Sequence, residues 1–321
     1  MNLSKGKLTV ACILISFAFF PCSGNNSTDG GLLWKITGNG LKEPSYLFGT
    51  NHGMSIDFVD SIPGFWDAFN SAKQLAVEYD IAKYKHLDSV HVFLPKDTTY
   101  LELINSSDRA VLDSVLLIYS HVTSKEMRLR PGYLMTQLEM SMLKKASSEW
   151  EKENPYLRVV NFYKNIDTRL QHFANFRSYP IIGLDSKEEL NRLGLNDFSC
   201  MFKSNYLADQ AKEMVQYIKD IPKDSLIEIN HKSMEAYYNQ NLKSVYKWAT
   251  HYRLNDKKAN EVTYIMTAVR NLSWLDKILA SIRKQSTFIA VGVAHLPGEK
   301  GLINLLRKEG YTVNPVIRKR Q

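Results

Sequence analysis

Two apolar runs near opposite ends of the chain are each followed by a histidine in the same short pattern, Gly-x-x-His. Residues 45–52 read Ser-Tyr-Leu-Phe-Gly-Thr-Asn-His, and residues 288–295 read Phe-Ile-Ala-Val-Gly-Val-Ala-His. Each run has the composition of a buried β-strand, and its glycine allows a sharp turn where the strand stops. The pattern predicts two strands, distant in sequence, that each deliver a histidine to the end of a sheet.

The segments around these runs predict the rest of the sheet. Residues 32–37 and 44–50 read as two strands joined by a glycine-rich turn, followed by a helix at 63–72 and a strand at 74–80 that ends in acidic residues. The chain closes with a strand, a helix and a strand. This closing order favours a parallel pair joined by a crossover, so the sheet is predicted to be at least partly parallel.

The region from about residue 98 to residue 285 reads as mainly helical, with one strand at 180–185. Helices are predicted at residues 101–122, 132–145, 206–221, 226–239 and 261–284. The last helix carries an apolar stripe at a spacing of three or four residues, formed by Val262, Ile265, Met266, Val269, Leu272, Leu275, Leu279 and Ile282. We therefore predict an α/β fold over residues 32–321, with a mixed, partly parallel sheet and a large, mainly helical insertion between its N- and C-terminal segments.

The N-terminal residues 1–22 have the layout of a secretory signal peptide, with lysines before an apolar run that is too short for a comfortable membrane span. Cys22 ends this segment, and the small polar residues 23–31 predict a flexible tether. The arrangement resembles a bacterial lipoprotein signal, although the residues before Cys22 are bulkier than usual. Two outcomes stay open for an exported chain: a lipid-anchored protein of the cell envelope, or a cleaved periplasmic or secreted protein.

The formal net charge of +8 comes from basic residues that are scattered among acidic ones, apart from a short cluster at residues 318–320. A nucleic-acid-binding protein more often carries a basic stripe interleaved with aromatic residues. We therefore expect a solvated basic surface and no nucleic-acid partner.

His52, His295 and Glu78 form the leading candidate site, because each follows a predicted strand and ligands gather beyond the carboxyl ends of parallel strands. Two imidazoles and a carboxylate bind a divalent transition metal such as zinc, manganese or cobalt, and leave a position for water. The ion would activate that water, so metal-assisted hydrolysis is the predicted reaction class. Each residue also has a structural interpretation, as a hydrogen-bonded histidine after a strand or as a carboxylate that pairs with a lysine or caps a helix.

Arg270 and Asn271 flank the apolar stripe of the last long helix, and Trp274 follows Arg270 by one helical turn. A guanidinium at the boundary between core and cleft could hold a substrate carboxylate or an oxyanion. The alternative is an ordinary surface salt bridge. Asp185 opens an acidic stretch that equally suits a helix N-terminus.

Five segments together resemble the TraB/GumN family, at residues 47–52, 75–78, 270–274, 291–298 and 301–313. This family is related to the TIKI proteins, membrane-associated metalloproteases that trim the N-terminus of Wnt ligands, and more distantly to erythromycin-esterase-like and haem-binding proteins. The resemblance implies an α/β fold with an inserted helical region and a site built from both Gly-x-x-His motifs and a glutamate. These residues are His52, His295 and Glu78 here, and Arg270 with Asn271 matches the family's Arg-Asn pair.

The chain departs from many members of this family at residues 183–186, where Gly-Leu-Asp-Ser replaces Gly-Leu-Glu-Thr, and Leu190 stands in place of the glutamine of a Glu-Gln pair. The leading hypothesis is an exported, lipid-anchored, metal-dependent hydrolase that acts on a peptide or protein substrate. In this hypothesis Arg270 and Asn271 orient the substrate or stabilise the developing oxyanion. A non-catalytic surface protein that binds haem or a peptide in the same pocket is the main alternative, and an inert relative with an intact outline is a third.

Overall fold

The computed structural model of the protein describes residues 31–83, 89–146, 148–154, 160, 162–221, 223–251 and 257–317. The predicted signal peptide with Cys22, and all of the predicted tether except its last residue, lie outside the described residues. Across the described ranges, no helix is both long enough and apolar enough to span a membrane.

A six-stranded mixed sheet forms the centre of the fold. Its strands are β1 Leu33–Thr37, β2 Ser45–Thr50, β3 Gln74–Val77, β4 Ile181–Gly183, β5 Thr287–Gly292 and β6 Thr312–Pro315. They lie side by side in the order β4, β3, β5, β2, β1, β6. The first four in this order are parallel, whereas β1 runs antiparallel to both of its neighbours. The predicted α/β fold with a mixed, partly parallel sheet is confirmed.

The predicted N-terminal hairpin is present, and Leu33 on β1 pairs with Phe48 on β2. Gly38 and Gly40 in its connection have φ values of +82° and +78°, in the left-handed region that glycine adopts without strain. The prediction that the two closing strands pair with each other is wrong. β5 and β6 point in the same direction, but the hairpin strands β2 and β1 lie between them.

The helices before the last long one surround the sheet and fill the insertion. They are α1 Phe65–Ser71, α2 Ser89–Val92, α3 Tyr100–Leu103, α4 Ser106–Tyr119, α5 Pro131–Ala146, α6 Ser148–Glu153, α7 Ile166–Phe176, α8 Lys187–Arg192, α9 Leu207–Asp220, α10 Lys223–Tyr238 and α11 Leu242–His251. Short 3-10 turns lie at Ile56–Ser61, Phe162–Lys164, Ser199–Met201 and Val293–His295.

The helix predicted at residues 101–122 is two helices, α3 and α4, because Asn105 starts a new one. Its side-chain oxygen accepts a hydrogen bond from the Asp108 N–H at 2.9 Å, which is the geometry of a helix N-cap. Helix α7 has no counterpart among the predicted helices. Asn165 caps it in the same way, by accepting from the Thr168 N–H at 2.9 Å.

The last long helix has three parts, which are α12 Lys257–Tyr264, a π-helical segment Ile265–Val269 and α13 Arg270–Lys284. The chain then continues through β5, α14 Leu302–Lys308 and β6. A π-helix holds extra residues per turn, so it rotates everything that follows relative to a regular helix.

Part of the predicted apolar stripe is wrong, because the π-helical segment changes which residues face the core. Met266 and Leu272 belong to that stripe, yet both are exposed, Leu272 to 46%. The buried face at this level is formed instead by Arg270, Asn271 and Trp274. The helix thus turns two polar residues and a tryptophan toward the sheet.

The described part of the chain contains two clusters of buried apolar side chains. The larger one packs both faces of the sheet and includes Trp34, Phe48, Phe288 and Trp274. The smaller one lies among α3, α4, α5 and α9, and its buried members are Leu94, Tyr100, Ile104, Leu112, Leu116, Met127, Leu134, Met135, Leu138, Phe202, Ala211, Met214 and Val215. Much of the helical insertion therefore has a core of its own.

Candidate functional site

The carboxyl ends of the parallel strands bring four predicted residues to one edge of the sheet. His52 lies two residues after β2, Glu78 directly after β3, Asp185 two residues after β4, and His295 three residues after β5. Thr50 on β2 pairs with Gly292 on β5, so the two Gly-x-x-His segments leave the sheet side by side. This is the edge at which parallel α/β sheets bind ligands.

The side chains of Glu78, His295 and His52 lie around Gly292. A Cβ atom placed on it would lie 3.0 Å from Glu78 Oε1, 3.6 Å from His295 Cδ2 and 3.9 Å from His52 Nε2. Its backbone N–H donates a hydrogen bond to Glu78 Oε1 at 2.7 Å. The absence of a side chain here thus lets the Glu78 carboxylate approach the backbone closely, while both imidazoles lie at ordinary contact distance.

His295 is held by Asn271 and is almost fully buried, with 4% of its surface exposed. The amide nitrogen of Asn271 donates to the carbonyls of His295, at 3.0 Å, and of Lys300, at 2.8 Å. Its amide oxygen therefore accepts from His295 Nδ1–H at 2.7 Å, which leaves Nε2 unprotonated and facing the site. Burial lowers the pKa of His295 to about 3, so the ring is neutral.

His52 is held by Asp167, at the start of α7. Its Nδ1 lies 2.9 Å from Asp167 Oδ2, and the Thr50 hydroxyl donates to the other carboxylate oxygen at 2.6 Å. Asp167 raises the pKa of His52 above its usual value of 6.5. Because 63% of the His52 side chain is exposed, water weakens this attraction. The two histidines therefore differ in access to solvent and in their preferred charge.

Arg270 places a buried positive charge in the same site. Its Nη2 lies 2.6 Å from Glu78 Oε2 and 2.7 Å from Asp185 Oδ2, and its Nη1 lies 3.4 Å from His295 Nε2. The Trp274 ring packs against the guanidinium at 4.5 Å. The surface salt bridge considered for Arg270 is excluded, since the residue is buried between two carboxylates.

The charge of Arg270 changes the acidity of its partners. Burial is the largest single influence on Glu78 and acts to raise its pKa. The attraction of Arg270, His295 and His52, together with the hydrogen bond from the Gly292 N–H, outweighs burial, so the net pKa is well below the usual value. Burial dominates at Asp185, whose pKa is raised although Arg270 and Trp274 donate hydrogen bonds to it. The carboxylates also raise the pKa of Arg270 against the effect of its own burial.

The chemistry of these donors fits a transition metal, since two imidazoles expose Nε2 and a carboxylate lies between them. His295 Nε2 and Glu78 Oε1 are 3.8 Å apart, a separation that two bonds of about 2 Å each to one ion can span. Within the described ranges, no three His, Cys, Asp or Glu side chains lie close enough together to hold a metal ion. A third ligand to a shared ion would require the exposed His52 ring to turn toward this pair, while Arg270 can keep its contact with the other Glu78 oxygen, Oε2.

Asp167 is the site residue that the sequence did not single out. Its only local signal is the helix start at Asn165, whose side chain also donates to the His52 carbonyl at 3.1 Å. The start of α7 therefore holds both the backbone and the ring of His52.

Comparison with known proteins identifies the family. No curated protein matches the chain, and no solved structure does either. The model of the TraB/PrgY/gumN family matches residues 32–315, which include the whole sheet and every candidate site residue. The resemblance seen in the sequence is confirmed, and the chain belongs to the TraB/PrgY/gumN family.

Proposed function

We propose that this protein is a metal-dependent hydrolase that cleaves peptide bonds. The observation that carries the proposal is the convergence of Glu78, His295 and His52 within 4 Å of one point beside Gly292. Two imidazoles and a carboxylate are a donor set that divalent transition metals favour. The choice of peptides rests on the resemblance to TIKI metalloproteases.

His52, His295 and Glu78 would hold a zinc, manganese or cobalt ion. When bound, such an ion lowers the pKa of a water molecule and polarises a carbonyl group, which is the chemistry that amide hydrolysis needs. Asp167 and Asn271 keep each Nε2 atom directed toward the site through their hydrogen bonds to Nδ1.

Arg270 would bind an oxygen atom of the substrate. Its guanidinium is buried and fixed by Trp274 and by two carboxylates, which occupy Nε and Nη2. Nη1 makes only long contacts, at 3.4 Å to the Met266 carbonyl and at 3.4 Å to His295 Nε2, so it is the nitrogen that would turn to the substrate. Asn271 has a different task from the substrate contact expected of it. Both of its N–H groups already donate to backbone carbonyls, so we assign it to the positioning of His295.

The proposed location is outside the cytoplasm. Residues 1–22 would direct export, and acylation of Cys22 would anchor the protein in the cell envelope. The substrate would then be an extracytoplasmic peptide or protein.

The test is to measure bound divalent metal and peptidase activity in the full chain and in the double variant His52→Ala/His295→Ala. We expect the double variant to lose bound metal and to fall to background activity, because it lacks both imidazole donors. His172→Ala is the matched control, since His172 is an exposed histidine on α7. Full activity in the double variant would exclude the proposal.

A further inference from the structure

Asp185 and Glu78 bind the same guanidinium, that of Arg270. Arg270 Nη2 bridges the two carboxylates, at 2.7 Å from Asp185 Oδ2 and 2.6 Å from Glu78 Oε2. Arg270 Nε also lies 3.2 Å from Asp185 Oδ1, so Asp185 receives two contacts in the fork geometry that binds guanidinium most firmly. Glu78 receives one.

The side chain of Asp185 is fixed by contacts that do not involve the Glu78 carboxylate. The Trp274 indole N–H donates to Asp185 Oδ1 at 2.8 Å, while the same indole ring packs on the guanidinium. Arg270 and Trp274 are one turn apart on α13, so both contacts come from one rigid element. The backbone of Asp185 is tied down by its N–H, which donates to the Glu78 carbonyl at 2.8 Å. Asp185, Arg270 and Trp274 thus form a preassembled unit.

The negative charge of Asp185 bears on whether a metal ion can bind beside Arg270. A divalent cation beside Glu78 and His295 would lie next to Arg270, whose Nη1 is 3.4 Å from His295 Nε2. An uncompensated guanidinium at that distance repels the ion. Asp185 supplies a second negative charge beside Arg270, so two carboxylates, rather than Glu78 alone, compensate the guanidinium.

We infer that Asp185 is a positioning residue that holds Arg270 and compensates its charge, and so allows a divalent metal ion to bind beside Glu78 and His295. This inference rests on the proposed function. It gives a task to Asp185, whose carboxylate reaches Arg270 because α13 brings the guanidinium to it.

The experiment measures the affinity of the full chain for Co²⁺ by calorimetric titration. We expect Asp185→Asn to weaken binding by about 10- to 100-fold, the usual effect of removing a residue that orients a metal ligand. Asp185→Glu keeps the charge and is expected to restore most of the affinity. Asp197→Asn is the matched control, since Asp197 pairs with Arg130 in the insertion and shares no partner with the site.

The decisive comparison repeats the Asp185→Asn change in an Arg270→Met background. Without the guanidinium, Asp185 has no positive charge to hold or compensate, so the change is expected to have no further effect on affinity. An equal loss of Co²⁺ affinity on Asp185→Asn with and without Arg270→Met would overturn the inference while the proposed function stands. The same holds if Asp185→Asn alone causes no loss of affinity. A natural sequence that binds no metal would overturn both.

Trp274→Phe gives a second route if Asp185→Asn does not fold. It removes the indole N–H that holds Asp185 but keeps an aromatic ring against Arg270. We expect a smaller weakening of Co²⁺ binding that again disappears in the Arg270→Met background. A loss that persists there would count against the role of Asp185.

Discussion

Gly49 and Gly292 lie on neighbouring strands, and each leaves room for a different neighbour. A Cβ on Gly49 would meet Val293 at 2.9 Å from its Cγ2 and 3.0 Å from its Cα, so backbone would have to move. A Cβ on Gly292 would meet the Glu78 carboxylate at 3.0 Å, and a side chain can give way. One glycine therefore serves the fold and the other serves the site.

We expect alanine to affect a different property at each of these two positions. Gly49→Ala should lower the free energy of unfolding by about 1–3 kcal/mol, as overpacking of a buried position does. Gly292→Ala should leave stability nearly unchanged but weaken metal binding, because it displaces the carboxylate from its place between the histidines. Denaturant unfolding and metal titration of both variants check this. Unweakened metal binding in Gly292→Ala would contradict it.

Single residues differ in how far the sequence reveals them. His52, His295 and Glu78 can be found because each lies within three residues of the end of an apolar strand, a signal that is local in the chain. Asp167 cannot be found in this way, since its contact with His52 arises only when α7 packs against the end of β2. Asp185 ends the strand predicted at residues 180–185, but its hydrogen bonds to Arg270 and Trp274 depend on the position of α13.

The π-helical segment Ile265–Val269 is the element that sets the orientation of Arg270. The Met266 carbonyl within this segment accepts a hydrogen bond from Arg270 Nη1 at 3.4 Å. Periodicity analysis assumes 3.6 residues per turn, so it places Leu272 on the buried face and gives no sign of the extra residue. Segments of this kind often lie at functional sites, and here the segment adjoins the Arg-Asn pair.

Deletion of Thr267 should convert the π-helical turn to a regular one. The helix beyond it would rotate by about 100° per residue removed, which would carry Arg270 and Asn271 away from the site. We expect helical content by circular dichroism to be retained and metal affinity to be lost. Thr267→Ala, which keeps the register, is the control and should retain affinity. Normal metal affinity in the deletion variant would show that the segment has no such role.

At the scale of the whole molecule, the unfolding of the two buried clusters can be followed by two different spectroscopic signals. All five tryptophans of the chain lie in or against the larger cluster: Trp34 and Trp274 are buried in it, and Trp66, Trp150 and Trp248 pack on its surface. The smaller cluster among α3, α4, α5 and α9 contains none. Tryptophan fluorescence therefore reports on the sheet, whereas circular dichroism in the far ultraviolet reports on all helices.

Leu134→Ala removes a fully buried side chain from the smaller cluster and should destabilise it by about 2–5 kcal/mol. We expect the denaturant midpoint by circular dichroism to fall below the midpoint by fluorescence, because the insertion loses structure first. Leu47→Ala, at an equally buried position on β2, should lower the fluorescence midpoint. Coincident midpoints in the Leu134→Ala variant would mean that the two clusters unfold together.

The sequence predicts the fold class and most element positions, but it does not predict the order of the strands. Strand–helix–strand order suggests that β5 and β6 are neighbours, since local connections are the commonest. The hairpin of β1 and β2 takes the place between them, and that choice depends on how whole faces pack. Such packing is not encoded in any short segment.

The position of β5 in the sheet has a consequence for biosynthesis. The N-terminal strands β2 and β3 do not touch each other, and β5, from the C-terminal part of the chain, lies between them. A growing polypeptide therefore cannot close the sheet until its final portion has left the ribosome. Long-range pairing of this kind slows folding and leaves the edges of β2 and β3 unpaired until late in synthesis.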